Sequence, residues 1–224
     1  NDFSKKINFV YTCLPDLSTK VISKLKKDKT AVLFIDTYNS NGIAEQRKLF
    51  FDLINNNIKT PVIIGRAYSN LSEEQLQISS SIDMGSLISD GLGDGLFLAA
   101  ENCGSDLNIN NICFGILQST RTRISKTEYI SCPSCGRTLF DLQETTEKIR
   151  LATSHLKGLK IGIMGCIVNG PGEMADADYG YVGAGPNKIT LYKGQNIVKR
   201  NIPTSEALNE LIKIIKDNGD WTSQ

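Results

Sequence analysis

Apolar and polar positions follow a β/α pattern over the first 83 residues. Short apolar runs rich in β-branched residues, typical of strands buried in a parallel sheet, occur at 7–11, 31–35 and 61–65. The segments between them, 16–27 and 44–56, have helical spacing. This alternation predicts parallel β/α units with right-handed connections.

Residues 84–127 differ in pattern from the first part. They predict a glycine-rich turn over 85–95, a strand at 96–99 and a helix over 107–122. The glycines precede the strand, whereas a dinucleotide-binding fingerprint places them after one, so this turn is a weak candidate for a phosphate cradle. At the end of the helix lie three cations, Arg121, Arg123 and Lys126. They suit a bound phosphate group, or a solvated helix end whose carbonyl groups favour positive charge.

Residues 128–224 predict a compact α/β unit in which two buried strands, 128–131 and 160–165, each end at a cysteine. A long helix over 137–156 lies between them, with Leu139, Leu142, Ile149 and Leu156 facing inward. Strands at 188–192 and 196–200 then precede a helix over 204–217. We expect Thr204 or Ser205 to cap this helix and Gly219 to end it.

Composition describes an ordinary globular protein. The chain has 224 residues, 40% hydrophobic and 22% charged, which is enough for one and a half to two domains. A net charge of +1 gives no general attraction to nucleic acid or to membranes. No apolar run approaches the roughly 18 residues of a membrane span, so we expect a soluble protein.

Three of the six cysteines form the pattern C-x2-C…C-x6-E, made by Cys132, Cys135, Cys166 and Glu173. Six cysteines are too few for a disulfide scaffold, and this grouping favours metal or redox chemistry in a reducing compartment. We expect the other three, Cys13, Cys103 and Cys113, to be small buried hydrophobic residues.

The donor set allows two kinds of centre. Three thiolates and a carboxylate suit an iron–sulfur cluster in which the weak oxygen ligand leaves one iron open to substrate. The alternative is a zinc site in which the single histidine, His155, is the fourth ligand. We expect the N-terminus of the helix after Cys135 to stabilise the thiolates, and the stiff segment 169–172 to bring backbone close to the metal.

The segments 131–143, SCPSCGRTLFDLQ, and 165–180, GCIVNGPGEMADADYG, closely resemble the C-terminal region of 4-hydroxy-3-methylbut-2-en-1-yl diphosphate (HMBPP) synthases. The resemblance extends from about Gly85 to Trp221. It implies a [4Fe–4S] cluster held by Cys132, Cys135, Cys166 and Glu173.

In that family, the cyclic diphosphate of methylerythritol is opened and dehydroxylated with two electrons from ferredoxin or flavodoxin. The resemblance therefore implies that Glu173 is a catalytic ligand displaced by substrate and that Asn169 contacts substrate. It makes Arg121, Arg123 and Lys126 candidates for binding the diphosphate.

The family also has an N-terminal barrel, and some members carry an α/β insert before the cluster domain. The resemblance thus implies a partial TIM-barrel-like insert over 1–83, a barrel end and linker helix over 84–127, and a cluster domain over 128–224. Turnover is expected to need the N-terminal barrel of the same protein, and the pattern is compatible with a homodimer. The motif wording and the composition favour a plastid or apicoplast location, with the bacterial cytoplasm as the alternative.

Overall fold

A computed structural model describes residues 4–138 and 140–223. The chain divides into two compact units, the first ending at Arg123 and the second starting at Ile124. Both units combine strands with helices, which confirms the predicted α/β class. The assignment of 1–83 to an insert and of 84–127 to a barrel end stays a prediction. Leu139, expected to face inward, lies outside the described residues.

The first unit contains a parallel sheet in the order β1-β2-β3-β4. Its strands are β1 (Asn8–Thr12), β2 (Ala31–Ile35), β3 (Val62–Ser69) and β4 (Gly95–Glu101). Its helices are α1 (Thr19–Leu25), α2 (Gly42–Asn55), α3 (Glu73–Ser80), α4 (Ser86–Ser89) and α5 (Asp106–Ser119). Neighbours in this sheet are also neighbours in sequence, as expected for successive β/α units.

The two faces of this sheet differ in burial. Leu33, Ile35 and Ile64 are fully buried in a core that includes residues of α2. On the alternate positions, Tyr11 and Phe97 remain half exposed. Phe34 lies between their rings, stacked on Tyr11 at 5.9 Å and edge-on to Phe97 at 5.0 Å between ring centroids.

The predicted turn over 85–95 is wrong in its first half. A π-helical turn, Ser81–Gly85, joins α3 to α4, so the chain stays helical through Ser89. The actual turn is centred on Gly91 and Gly93, which have φ of +75° and +90°. The sequence pattern also missed α3, although Ser72 and Gln75 form a capping box at its start.

The second unit contains a five-stranded sheet in the order β5-β6-β7-β8-β9. Its strands are β5 (Glu128–Ser131), β6 (Lys160–Met164), β7 (Tyr179–Gly185), β8 (Lys188–Lys193) and β9 (Asn196–Pro203). Its helices are α6 (Leu142–Thr153), α7 (Gly170–Glu173) and α8 (Thr204–Asp217). Pairing is parallel from β5 to β7 and antiparallel from β7 to β9.

Three details of the second unit correct the sequence prediction. Strand β7 was not predicted, because Gly180, Gly183 and Gly185 obscure its apolar pattern. Helix α6 begins at Leu142 rather than at residue 137, with Asp141 as its cap. Helix α8 follows Pro203 and, within the described residues, no side chain caps it. The expected terminator, Gly219, has φ of +79° just beyond the helix.

Candidate metal-cluster site

The two cysteine loops are adjacent because β5 and β6 are parallel neighbours. Ser131 pairs with Ile163, so both strands end at the same edge of the sheet. Cys132 extends the pairing, since its N–H donates to the carbonyl of Ile163 at 3.3 Å. The backbone N–H of Gly165 donates to the Sγ of Cys132 at 3.2 Å. Both halves of the C-x2-C…C pattern therefore meet here.

The turn from Cys132 to Cys135 is fixed by local hydrogen bonds. Ser134 adopts a left-handed conformation with φ of +65°. Its hydroxyl donates to the Oγ1 of Thr138 at 3.2 Å, and the backbone N–H of Cys135 donates to the same oxygen at 3.1 Å. Thr138 thus orders the turn that presents both thiols.

Glu173 is positioned by a single helical turn, α7, rather than by the stiff loop expected from the sequence. The carbonyl of Asn169 accepts hydrogen bonds from the N–H groups of Gly172 at 3.0 Å and Glu173 at 2.9 Å. Gly170 packs tightly, because a Cβ there would lie 2.7 Å from the Cβ of Met164. This close approach seats α7 against the end of β6.

The four predicted ligands line one cavity. Its volume is about 140 Å³, and Cys132, Cys135, Cys166 and Glu173 all contribute to its wall, together with Asn169. Cys132 and Cys166 are half-buried and Cys135 is exposed. Among the described residues, no three His, Cys, Asp or Glu side chains are arranged to hold a single metal ion. The cavity therefore gathers the predicted donor set around a shared space.

The helix N-terminus does not follow the cysteine pair directly, which corrects one expectation. Because α6 starts at Leu142, its first turn is separated from Cys135 by an irregular segment. Its N-terminus is also already capped, since Asp141 accepts a hydrogen bond from the N–H of Glu144 at 2.9 Å. In the structure, the N–H group bonded to a thiol sulfur of the pair is that of Gly165.

A cation that the sequence analysis missed also lines the cavity. Arg137 is exposed and contributes to the wall beside the cysteines and Glu173. A guanidinium near thiols favours their ionised form and offsets negative charge that gathers there. Its place two residues after Cys135 was the available signal.

The three cations proposed for the diphosphate do not share one unit. Arg121 and Arg123 close the first unit after α5, and Lys126 belongs to the second. The guanidinium of Arg123 lies 5.1 Å from the ring centroid of Phe114. Their joint role in binding the diphosphate stays a prediction.

The remaining candidate ligands lie elsewhere. The ring of His155 packs edge-on against Trp221 at 4.9 Å, and His155 is not among the described residues that line the cavity. In the first unit, Cys103 is buried and Cys13 and Cys113 are half-buried. Burial raises the pKa of the Cys113 thiol. This arrangement favours Glu173 over His155 as the fourth donor.

A second, larger space lies against the cysteine pair. This groove, with a volume of about 1010 Å³, runs between the Cys132–Cys135 turn and α6. Gln143, Thr146 and Arg150 are among the α6 residues that line it. The cysteine pair thus borders both the 140 Å³ cavity and the groove.

Comparison with known proteins places the site in a family. Residues 128–217, which carry both cysteine loops and Glu173, match the GcpE protein C-terminal domain. These residues belong to that domain family. The resemblance predicted from the two motifs is confirmed.

Curated relatives extend the similarity over nearly the whole chain. A 4-hydroxy-3-methylbut-2-en-1-yl diphosphate synthase (flavodoxin) of Parabacteroides distasonis is 52% identical over 222 residues, 99% of this chain and 36% of the relative. The proteins of the same name from Bacteroides fragilis and Chlorobaculum tepidum are 51% and 44% identical, over 96% and 92% of this chain and 34% and 27% of their own length. The chain therefore spans about a third of the length of these relatives.

No helix in the described part of the chain is long and apolar enough to cross a membrane.

Proposed function

We propose that this chain is the cluster-bearing part of an HMBPP synthase that takes electrons from flavodoxin. The observation that carries the proposal is the cavity lined by Cys132, Cys135, Cys166 and Glu173. Its donor chemistry suits a [4Fe–4S] cluster, which normally takes thiolates. The printed names of the relatives support the reaction and the donor.

The reaction is a two-electron reductive dehydroxylation. The cyclic diphosphate 2-C-methyl-D-erythritol 2,4-cyclodiphosphate takes up two electrons and two protons, and gives 4-hydroxy-3-methylbut-2-enyl diphosphate and water. When bound, the cluster would supply single electrons and an iron able to accept a substrate oxygen. This chemistry requires the protein to hold three positions firmly and to release one.

The residues of the cavity divide these tasks. Cys132, Cys135 and Cys166 are the permanent ligands, and the hydrogen bond from Gly165 fixes the first of them. Glu173 is the displaceable ligand, since a carboxylate is a weaker partner than a thiolate for iron in a sulfur cluster. Asn169, on the same wall, contacts the substrate.

The cations act on the diphosphate. Arg121, Arg123 and Lys126 are candidates to bind its oxygens, because guanidinium groups bind phosphate in bidentate fashion and an ammonium adds a point charge. The N-terminal barrel of the full-length protein supplies the rest of the substrate site. Without that barrel we expect cluster binding but no turnover. The bacterial relatives favour the bacterial cytoplasm over a plastid as its location.

The full-length protein, purified without oxygen, tests the proposal. We expect roughly four irons and four sulfides per chain and turnover of the cyclic diphosphate with reduced flavodoxin. Cys132→Ser should lose iron and turnover, whereas Cys113→Ser, a half-buried cysteine of the first unit, should keep both. A colourless protein with one bound zinc would overturn the proposal.

A further inference from the structure

The cysteine pair separates two spaces of unequal chemistry. On one side is the 140 Å³ cavity, whose wall includes all four proposed ligands. On the other is the 1010 Å³ groove, where Cys132 and Cys135 are the proposed ligands among the described lining residues. Displacement of Glu173 and substrate binding belong to the cavity side. The groove approaches the same centre from the side of two permanent ligands.

The groove is also the accessible approach to the pair. Cys135 is exposed, and the wall opposite it is the exposed face of α6, including Gln143 and Glu147. Pro133 and the half-buried Phe140 add apolar surface to the lining. The volume of 1010 Å³ is at the upper end of the range typical of pockets that hold small molecules and cofactors. A flat aromatic cofactor edge carried by another protein fits a space of this size.

The groove has a positioned cation. The guanidinium of Arg150 lies 5.2 Å from the ring centroid of Tyr129, which limits its freedom while the side chain stays exposed. Asp141 is engaged in capping α6, whereas Glu147 is an exposed acidic neighbour in the groove. Arg150 is therefore placed to pair with a carboxylate of a docking partner and to fix its orientation.

We infer that this groove is the docking surface for the flavin-bearing electron donor, and that electrons enter through Cys135 and Cys132. The inference rests on the proposed function. Electron transfer weakens steeply with distance, so a donor must bring its flavin edge close to the thiolate ligands. In each encounter the reduced flavin loses one electron and the protein centre gains one, so two encounters supply the two electrons of one turnover.

Two substitutions in the full-length, cluster-loaded protein test the docking surface. Gln143→Trp fills the groove and Arg150→Glu reverses its cation. Lys148→Trp, also exposed on α6 but not among the described groove residues, and Arg200→Glu, exposed on β9, are the matched controls. Flavodoxin affinity is measured by calorimetry. Turnover is measured with reduced flavodoxin and, separately, with reduced methyl viologen, a small reductant that needs no docking surface.

We expect each groove variant to bind flavodoxin about tenfold more weakly and to lose flavodoxin-driven turnover in proportion. Viologen-driven turnover and visible absorbance should stay at the wild-type level, and both controls should match the wild type. Unchanged flavodoxin affinity in both groove variants would overturn the inference. Equal loss with both reductants would also overturn it, because the groove would then serve substrate binding or be covered by a second copy of the chain.

The two proposals fail in different ways. If the wild-type protein does not turn over with viologen, the proposed function is wrong. The calorimetric comparison of flavodoxin affinity still decides whether the groove is a docking surface.

Discussion

The N–H of Gly165 bonds to the Sγ of Cys132 at 3.2 Å, although the two residues lie in different loops of the candidate site. The bond joins the segment before Cys166 to the start of the C-x2-C turn. An N–H···S bond also stabilises negative charge on the sulfur and raises the reduction potential of a cluster that the sulfur binds. The position of the Gly165 backbone is therefore important for both ligand placement and chemistry.

Gly183 on β7 supports this backbone from the other side. A Cβ at residue 183 would lie 2.3 Å from the carbonyl oxygen of Gly165. We expect Gly183→Ala to lower the free energy of unfolding by about 1–3 kcal/mol and to reduce iron content, because the Gly165 backbone must move. Gly185→Ala on the same strand is the control, since its nearest neighbour would be 4.0 Å away. Chemical denaturation and iron analysis measure both effects, and equal stability of the two variants would contradict the explanation.

Removal of the fourth ligand separates cluster from zinc chemistry. We expect Glu173→Ala to lower iron content and abolish turnover, because Glu173 lines the cavity. His155→Ala should keep its iron, since that ring packs on Trp221. Metal analysis per folded chain provides the measurement. Loss of metal in the histidine variant alone would favour the zinc site.

Replacement of the carboxylate by a thiolate tests whether ligand release is required. Glu173→Cys should give a protein with a full complement of iron, because thiolates are the preferred ligands of such clusters. We expect turnover to fall to background, since a fourth thiolate does not yield its place to a substrate oxygen. Iron analysis and a turnover assay with viologen measure the two properties. Full activity of this variant would indicate an electron-transfer role instead.

A buried ion pair stabilises the first unit. Arg66, 7% exposed, is bonded to Asp83 at 2.6 Å and donates to the carbonyls of Thr37 and Asn39. Asp83→Ala leaves this guanidinium without its carboxylate, so we expect a loss of about 3–5 kcal/mol. The control is Asp90→Ala, which breaks a solvent-exposed ion pair with Arg47 and should cost under about 1 kcal/mol. Thermal unfolding of the chain measures both, and similar losses would refute the role of burial.

Two tyrosines on β7 offer a matched test in the second unit. The hydroxyl of Tyr179 donates to Asp220 at 2.6 Å, so Tyr179→Phe should cost about 1 kcal/mol. The Tyr181 hydroxyl is buried, has no hydrogen-bond partner among the described residues, and its pKa is raised by burial to about 12. Tyr181→Phe should therefore be neutral or stabilising. Urea denaturation of both variants at neutral pH is decisive, and a larger loss for Tyr181→Phe would contradict this ranking.

The sequence predicted elements best where apolar periodicity and chain connection agreed. Strand β2 and helix α8 have the predicted bounds, and β5 ends at the predicted residue before Cys132. These segments owe their structure to burial of their own side chains, which periodicity reports directly. The α/β class and the convergence of the two cysteine loops followed from them.

The features that were missed depend on contacts distant in sequence. Strand β7 is stabilised between β6 and β8, and its glycines are required by close neighbours rather than by a turn. The late start of α6 depends on the Asp141 cap, which a longer helical pattern concealed. Arg137 and the groove could not be found from spacing, because both depend on how the Cys132–Cys135 turn lies against the rest of its unit.

The switch from antiparallel to parallel pairing at β7 has a consequence for how the second unit folds. Strands β7, β8 and β9 are joined by tight hairpins, with Asn187 and Gly194 in left-handed conformations at the two turns. Strands β5 and β6 join through long crossovers, and distant contacts of this kind form more slowly than local ones. We therefore expect the hairpins to form early and the strands that carry Cys132 and Cys166 to dock late. The thiols would then stay open to delivery of iron and sulfide until the last stage of folding.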